Sequence, residues 1–381
     1  MTAAGEVQRR RWTAGTELSV QELRTFAELL PYCVPRPLPD GTWLGSRPSV
    51  SYAAGASESA HIMALLDEAI RRSRDIRSRS PQVRMDLWEL RGSAPSATTA
   101  DISEVGPGLI VSGTRLARLM RAVDRLALEL GIAAGATELA VPHLVSTPTV
   151  DQAGYAEAFP QHLTGCCVVR HDLKALDRYA AGSAEERLAE LEPADVNLAP
   201  AVCLNILASM SGDSLAEGVT CTALGACGRY EATATDSTRL WSFTMREVVY
   251  VGNERGALRF REDMLDALEC VARDLQLPCR LGSAVDPFFT GARQELAAFQ
   301  TEFVVKHELL GRMAVDDAPV AISSVNAHGQ HFGLGFGIRL KDGSPAHSAC
   351  VGFGLERWAQ WLSSHLPCDE AAWPSTLRDR L

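Results

Sequence analysis

The stretch GRYEATATDSTRLWSFTMRE, residues 228–247, decides the fold of this chain. It predicts two β-segments, over 227–234 and 240–252, joined by a loop of Thr, Asp and Ser. Strands joined by so short a loop pair antiparallel, because a parallel pair needs a long crossover connection. The other predicted strands also show no regular βαβ alternation. The sequence therefore predicts an α+β fold, built on an antiparallel β-sheet that is flanked by helices.

Four side chains of this hairpin form a candidate nucleotide site. Alternation along the strands puts Arg229 and Glu231 on one face of the first segment, and Phe243 and Glu247 on one face of the second. A guanidinium group binds a phosphate bidentately, and a phenyl ring offers a stacking surface for adenine. The pattern predicts an ATP platform, and the structural alternative is an ion-paired strand with one buried Phe.

A second arginine follows a glycine-rich turn in CVGFGLER, residues 350–357. Gly352 and Gly354 let the backbone approach a ligand closely, and Arg357 would lie in the first turn of the following helix. A solvated arginine at a helix start is the structural alternative. The chain has no strand, GxGxxG and helix in that order, so the dinucleotide fingerprint is absent.

Three residues beside these elements have side chains that suit a zinc ion. No CxxC pair occurs, but a zinc site with an open position needs only three protein ligands, which Cys203, Glu247 and Cys350 could supply. The alternative is that both cysteines are small buried apolar residues. His328 and His331 are competing ligands, ranked lower because a strand would point them to opposite sides.

Composition narrows the class of protein. The 381 residues carry a formal charge of −10, which argues against phosphate-backbone binding as the main task. Ten cysteines scattered through a chain of this length suggest reduced thiols or metal ligands. The opening MTAAGEVQRRRW lacks an apolar segment, and no apolar run approaches membrane-spanning length. We expect a cytoplasmic protein with no membrane partner.

The composition shifts to Ser, Ala, Thr, Pro and Gly over 92–106, which predicts a boundary between 1–105, an extension of unknown role, and 106–381. Apolar periodicity adds further elements. The predicted helices are one carrying Leu23, Phe26 and Leu30, one carrying Ile62 to Ile70, one over 116–126, two over 172–192, one over 259–276 and one from Leu355. The predicted strands are Val83 to Leu87, ELAVPHLV, PAVCLNIL, 318–325 and 331–340.

The motifs, taken in order, resemble a known family. GRYE with RLWSFTMRE, and then CVGFGLER, resemble motifs 2 and 3 of class II aminoacyl-tRNA synthetases. The whole set is most similar to the seryl-tRNA synthetase-like amino acid:[carrier protein] ligases. Further stretches that look like this family are GYAEAFPQHLTG, APAVCLNIL, VDPFF and SSVNAHGQHFG, so the likeness covers 107–365. It implies a class II synthetase-like antiparallel sheet and activation of a small amino acid with ATP and Mg²⁺.

The resemblance implies a role for each candidate side chain. Arg229 and Glu231 match the motif 2 pair that holds the α-phosphate and the adenine amino group, while Arg239 matches the loop arginine. Phe243 matches the adenine-stacking ring and Arg357 the motif 3 arginine on the other side of the nucleotide, next to Gly354. Arg229 and Arg357 would be the catalytic residues.

The same resemblance extends to the amino acid. Cys203, Glu247 and Cys350 match the family's zinc triad, in which zinc binds the amino group of the substrate. Further substrate-binding candidates are Ser324, Asn326 and Lys306. Seryl enzymes carry an acid where this chain has Ala321, and Glu302 and Glu308 are candidate substitutes.

The first hundred residues contain no long heptad pattern, so the coiled-coil arm that grips tRNA in seryl enzymes is predicted to be missing. We therefore expect no tRNA partner. The expected acceptor is an acyl or peptidyl carrier protein with a phosphopantetheine arm, and a homodimer is expected from the family. The candidate basic docking patch consists of Arg71, Arg72, Arg74, Arg77 and Arg79. Alternatives are a ligase for tRNA or a small amine, an inactive regulatory paralogue, and a zinc hydrolase.

Overall fold

The computed structural model describes residues 7–34, 38, 42–74, 82–90, 101–231, 237–285, 305–314 and 319–381. The chain divides into two compact units, Met1–Pro81 with Ala284–Val304, and Gln82–Ser283 with Val305–Leu381. This division differs from the predicted 1–105 and 106–381. The reason is that strand Val83–Asp86 pairs with Cys279–Ser283 of the larger unit, so the chain enters that unit's sheet before residue 105.

The helices of the described residues are α1 Val20–Cys33, α2 Ala56–Arg74, α3 Thr114–Ala133, α4 Thr147–Gln152, α5 Tyr155–Ala158, α6 Leu173–Ala181, α7 Ala184–Ala189, α8 Cys203–Ser209, α9 Glu254–Leu275, α10 His331–Gly335, α11 Leu355–His365 and α12 Ser375–Arg378. The strands are β1 Gln8–Thr13, β2 Ser49–Ala54, β3 Val83–Asp86, β4 Ile102–Gly106, β5 Leu109–Ser112, β6 Thr137–Ala140, β7 Leu144–Ser146, β8 Gly165–Val169, β9 Leu191–Leu198, β10 Ser214–Leu215, β11 Val219–Gly228, β12 Ser242–Gly252, β13 Cys279–Ser283, β14 Lys306–Arg312, β15 Pro319–Gly329, β16 Arg339–Leu340 and β17 His347–Gly354. None of the described helices combines the length and the apolar character that a membrane crossing requires.

The smaller unit is an antiparallel pair of strands, β1 and β2, packed with helices α1 and α2. Trp12 stacks on Phe26 inside its apolar core, with ring centroids 5.7 Å apart. Within this unit, three described arginines of the predicted docking patch have partners: Arg71 and Arg72 pair with Glu68, and Arg74 donates to the carbonyl of Glu17 at 3.1 Å. Arg77 and Arg79 lie outside the described residues.

The larger unit is built on an eight-stranded sheet in the order β3-β13-β14-β15-β17-β12-β11-β6. Every neighbouring pair is antiparallel except β11 with β6, which is parallel. Helices α3, α9 and α11 pack on one side of this sheet, called here the helix face, through a core that includes Trp358, Trp361 and Val351. The prediction of an α+β fold with an antiparallel sheet flanked by helices is confirmed.

Three local predictions differ from the structure. The first hairpin strand runs over Val219–Gly228 and ends just before Arg229, instead of covering 227–234. The CLNIL part of PAVCLNIL begins helix α8 instead of a strand, since an apolar run of this length is compatible with both. His331–Gly335 is helical where a strand over 331–340 was predicted, and only Arg339–Leu340 of that range is extended.

Candidate active site

Strand register brings the candidate residues onto the side of the sheet opposite the helix face, called here the opposite face. Across β12, β17, β15 and β14, one row of paired residues consists of Glu247, Gly352, Ser324 and Glu308. The neighbouring row lies two residues away from the first on each strand and consists of Val249, Cys350, Asn326 and Lys306. Residues two apart on a strand share a face, so both rows lie on the same surface.

Arg229 begins directly after β11 and is held at the edge of this surface. Its Nε donates to the carbonyl of Pro200 at 2.7 Å, which fixes the direction of the guanidinium group. Its Cζ atom lies 5.4 Å from the centroid of the Phe243 ring, within the range of a cation–π contact. The predicted phosphate-binding arginine and the predicted stacking ring are therefore neighbours.

Arg357 lies in the first turn of α11 and joins this group. Its Nε donates to the carbonyl of Thr238 at 2.8 Å and its Nη1 to the carbonyl of Ala321 at 3.2 Å. The pKa of Arg357 is lowered, first by burial, while the charge of Glu231 raises it and that of Arg229 lowers it. These electrostatic contacts show that motif 2 and motif 3 side chains meet at one place.

Arg239 and Glu231 complete what we call the arginine end, defined by Arg229, Glu231, Arg239, Phe243 and Arg357. Arg239 Nη1 lies 3.7 Å from Glu231 Oε2, and both side chains are partly exposed. The loop residues 232–236 between them lie outside the described residues. The arginine end therefore combines the partly exposed Arg239 and Glu231 with Arg357, whose pKa burial lowers, beside the backbone at Gly354.

The predicted zinc ligands meet next to the arginine end, in what we call the cysteine end, defined by Cys203, Glu247 and Cys350. Cys203 is the first residue of α8, and Glu247 lies in the middle of β12. The Glu247 carboxylate accepts hydrogen bonds from the backbone N–H groups of Val202 at 3.3 Å and Cys203 at 3.0 Å. The start of α8 thus aligns the carboxylate with the Cys203 thiol.

Burial and mutual hydrogen bonding govern the protonation of the cysteine end. The hydrogen bond between the two sulfur atoms raises the pKa of Cys203 and lowers that of Cys350, which makes Cys203 the donor and Cys350 the acceptor. Burial raises the pKa of Glu247 to about 7. The three side chains form one buried, hydrogen-bonded cluster.

The geometry of Cys203, Glu247 and Cys350 bears on the predicted zinc ion. Among the residues that the structure describes, no group of three or more His, Cys, Asp or Glu side chains is arranged as a metal-ion site. The donor chemistry nevertheless suits zinc, which takes thiolate and carboxylate ligands. Zinc would displace the proton that Cys203 now shares with Cys350, because a ligating thiol must lose its proton. The donor set fits zinc, and Cys203, Glu247 and Cys350 are the residues that would hold it.

The remaining predicted residues continue the two rows. Asn326 Nδ2 donates to Cys350 Sγ at 3.7 Å and to Ser324 Oγ at 3.4 Å. Lys306, which is 8% exposed, pairs with Glu308 at 3.0 Å. The charge of Glu308 also reaches Arg357. Of the two substitutes for the acid missing at Ala321, Glu308 therefore lies at the site, and Glu302 lies outside the described residues.

Sequence reasoning missed Glu356 at the site and ranked His328 low as a competing metal ligand. Glu356 accepts the backbone N–H of Thr244 with both carboxylate oxygens, at 2.9 and 2.8 Å, and so ties α11 to the strand of Phe243. His328 Nε2 lies 3.5 Å from Cys350 Sγ. The alternation of Ser324, Asn326 and His328 along one strand was the available signal for His328. That signal can be used only when this strand is known to lie beside Cys350.

A cavity of about 420 Å³ lies on the helix face, away from these rows. It is lined by residues of α3 and α9 together with Tyr250, and it includes Arg259 and Asp263. The candidate chemistry is therefore on the opposite face of the sheet and not in this cavity.

The antiparallel sheet, with an arginine after its central hairpin and another after its glycine-rich last strand, defines a class II aminoacyl-tRNA synthetase-like catalytic domain. The seryl-tRNA synthetase of Methanopyrus kandleri, solved with A. aeolicus tRNASec, superposes with a TM-score of 0.69 at 19% identity, covering 98% of this chain and 77% of that one. The seryl-tRNA synthetase of Pyrococcus horikoshii complexed with ATP gives a TM-score of 0.57 at 14% identity over 85% of this chain and 80% of that one. These likenesses show the fold.

Sequence comparison identifies the family. The chain is 34% identical over 255 residues to amino acid–[acyl-carrier-protein] ligase 1 of Bradyrhizobium diazoefficiens, covering 65% of this chain and 77% of the relative. Ligase 2 of the same organism is 35% identical over 247 residues, covering 63% and 73%. No protein-family model matches the chain. The chain belongs to the amino acid:[carrier protein] ligase family, so the predicted seryl-tRNA synthetase-like, adenylate-forming ligase is confirmed.

Proposed function

We propose that this enzyme activates a small amino acid with ATP as an aminoacyl adenylate and transfers it to the phosphopantetheine thiol of a carrier protein. The observation that carries this proposal is the meeting of Arg229, Arg357 and the cysteine end on one sheet face. A reaction between a nucleotide phosphate and an amino acid requires both reactants to be held side by side. The names of the Bradyrhizobium relatives support the acceptor.

The arginine end suits the nucleotide. Arg229 and Arg357 would bind the α-phosphate and stabilise the negative charge that develops when the substrate carboxylate attacks it and pyrophosphate leaves. Phe243 would stack on adenine, and Glu231 would accept a hydrogen bond from the adenine amino group. Arg239 would bind the outer phosphates. Mg²⁺ would neutralise phosphate charge, and Glu308 is the candidate carboxylate for it because its charge reaches Arg357. The seryl relative solved with ATP supports nucleotide binding.

The cysteine end suits the amino group. We infer that Cys203, Glu247 and Cys350 hold zinc, which would bind and orient the substrate amine and leave its carboxylate free to react. Asn326 lies next to Cys350 and would contact the amino acid beyond its amino group. Ser324 and Lys306 continue the same rows and would line the remaining wall. No covalent bond to the enzyme is needed in this scheme.

A tRNA acceptor is the second candidate, and a specific observation favours it. Type-2 serine–tRNA ligase of Methanopyrus kandleri is 29% identical over 150 residues, covering 38% of this chain and 28% of that relative. Against it stand the overall charge of −10 and the higher identity to the carrier-protein ligases over more residues. A carrier protein is therefore the acceptor that we propose.

Pyrophosphate exchange tests the first half of the proposal. The enzyme is incubated with ATP, labelled pyrophosphate and each of a panel of amino acids, before and after zinc is removed with a chelator. Exchange with one or two small amino acids, lost with zinc and restored by adding it back, is the expected result. Absence of exchange with every amino acid would overturn the adenylation step.

Acceptor choice tests the second half. The amino acid that supports exchange is supplied in labelled form together with a holo carrier protein, the same carrier without its phosphopantetheine arm, or bulk tRNA. We expect label on the holo carrier alone. Label on tRNA would replace the proposed acceptor with the second candidate.

A further inference from the structure

The sulfur of Cys350 is surrounded by hydrogen-bond donors. Cys203 donates its thiol proton to it, and Asn326 Nδ2 donates at 3.7 Å. His328 Nε2 lies on a third side at 3.5 Å, which is within hydrogen-bond range for the large sulfur atom. A sulfur that ligates zinc has lost its proton and can only accept hydrogen bonds. In the zinc-loaded site, His328 Nε2 would therefore carry the proton and donate it.

The other ring nitrogen supports the same assignment. His328 Nδ1 lies 3.0 Å from Ser348 Oγ, and a neutral imidazole that donates through Nε2 accepts through Nδ1. The Ser348 hydroxyl can donate to it, and Ser348 is only 1% exposed, so water does not compete for this bond. The order of donation is Ser348 hydroxyl to His328 ring to Cys350 sulfur.

Packing holds the ring in this direction. His328 lies near the end of β15, where the register with β17 shifts between Ala327 and Gly329. The imidazole reaches β17, where its two nitrogens contact Ser348 and Cys350. The ring also meets Phe332 edge-on, with centroids 4.7 Å apart. The imidazole is thus fixed by a hydrogen bond at each nitrogen and by an aromatic contact.

We propose that His328 is the positioning residue of the cysteine end, which holds the Cys350 sulfur in the direction required for zinc binding and is itself oriented by Ser348. This inference rests on the proposed zinc site. Side chains that hydrogen bond to metal ligands orient those ligands, and removing such a side chain lowers metal affinity about 10–100-fold. His328 acts through Cys350 and does not contact the substrate.

The chain offers a closely matched control. His331 also meets Phe332 edge-on at a centroid distance of 4.9 Å, with the same interplanar angle of 67° as His328. Its Nε2, however, contacts the backbone carbonyl of Ala153 at 2.9 Å and not a sulfur. Replacing either histidine with Phe removes one imidazole beside Phe332 and keeps a ring in place, so the pair separates the sulfur contact from the packing.

Zinc affinity of the full chain is the measurement, made by competition with a chelator of known affinity on wild type, Cys350→Ser, His328→Phe, His328→Gln and His331→Phe. We expect one zinc in wild type that Cys350→Ser abolishes. His328→Phe should lower the affinity about 10–100-fold, His328→Gln should recover part of the loss through its side-chain N–H, and His331→Phe should keep wild-type affinity. Unfolding midpoints of the metal-free variants verify folding.

The outcomes separate the two ideas. Wild-type zinc affinity in His328→Phe, with zinc still lost in Cys350→Ser, would overturn the role of His328 and leave the zinc site standing. Equal losses in His328→Phe and His331→Phe would assign the effect to packing and also overturn it. A wild-type chain that binds no zinc through Cys350 would refute the proposed zinc site together with this inference. Nitrogen NMR of the His328 ring in the zinc-loaded protein should show the proton on Nε2, and a proton on Nδ1 would contradict the assigned order of donation.

Discussion

The arginine end and the cysteine end lie on one sheet face but differ in solvent access and in charge. Arg239 at the first is 41% exposed in its side chain, whereas Cys203, Glu247 and Cys350 at the second are 6%, 3% and 6% exposed. The first is built from permanently charged guanidinium groups. The second is buried, and burial raises the pKa of its carboxyl group, Glu247.

This difference matches the two substrates that we propose. A triphosphate is multiply charged and arrives hydrated, so the partly exposed Arg239 can bind it at low desolvation cost, while the more deeply buried Arg357 would bind it where water is excluded. An amino group and a zinc ion gain more from a dry site, where their interactions with sulfur and carboxylate are not screened by water. The face therefore separates charge recognition from amine recognition, although strand β12 contributes Phe243 to the arginine end and Glu247 to the cysteine end.

Replacing Arg229 with Ala should produce the largest effect. The predicted phosphate contact is lost where charge develops, so pyrophosphate exchange should fall about 10²–10³-fold in rate. Arg273→Ala is the control, because Arg273 lies on α9 and pairs with Glu269 at 2.7 Å. An Arg229→Ala enzyme that exchanges at the control's rate would remove Arg229 from the catalytic assignment.

Titration of Glu247 tests whether water is excluded from the cysteine end in metal-free protein. Burial raises its pKa in the folded chain to about 7, from an ordinary value of 4.5. Between these values the folded chain retains a proton that the unfolded chain has released, so the free energy of unfolding should fall as pH rises, by up to about 3 kcal/mol. Denaturant unfolding from pH 4.5 to 7 measures it. Glu247→Gln should remove this slope, and an unchanged slope would mean that another group causes it.

Phe243→Ala should have an intermediate effect, confined to the nucleotide. Stacking of a base on an aromatic ring contributes about 1–3 kcal/mol, so KM for ATP should rise roughly tenfold or more while zinc affinity is unchanged. Phe243→Leu keeps an apolar side chain without a ring and should show most of the same loss. If Phe243→Leu behaves as wild type, the contact is apolar packing and not stacking.

Gly352→Ala should produce the smallest and most local effect. An added Cβ would lie 3.0 Å from Met245 Sδ and 3.7 Å from Glu247 Cγ, on the row that joins the two ends. It would narrow the space for the amino acid, so KM for the amino acid should rise, and more for a larger substrate than for glycine. KM for ATP should stay at its wild-type value. A rise in KM for ATP alone would mean that the amino acid does not bind beside the row that contains Gly352.

Much of the site could be predicted because its residues belong to short, ordered motifs. Phe243 and Glu247 follow from one hairpin strand, in which alternation determines which side chains share a face, and Arg229 follows from its place directly after the partner strand. Arg357 follows from the glycine-rich turn before α11. The ligands Cys203 and Cys350 depended on resemblance, since an isolated cysteine among apolar neighbours carries no spacing signal.

The remaining features depended on contacts between distant parts of the chain. PAVCLNIL was predicted to be a strand, yet its CLNIL part begins α8, because packing of Leu204 and Leu207 into the core decides between two conformations that its apolar run allows. The boundary of the larger unit differed for a similar reason, since β3 joins a strand almost two hundred residues later.

The sequence by itself determined the hairpin, the order of the motifs and the side chains that alternate along each strand, because these depend on residues close together in the chain. Only the tertiary structure decided that β15 lies beside β17, and hence that His328 and Asn326 both reach Cys350. Strand order is set by how all eight strands and their helices bury apolar surface together. No local pattern contains that information, and the chemistry of the cysteine end depends on it.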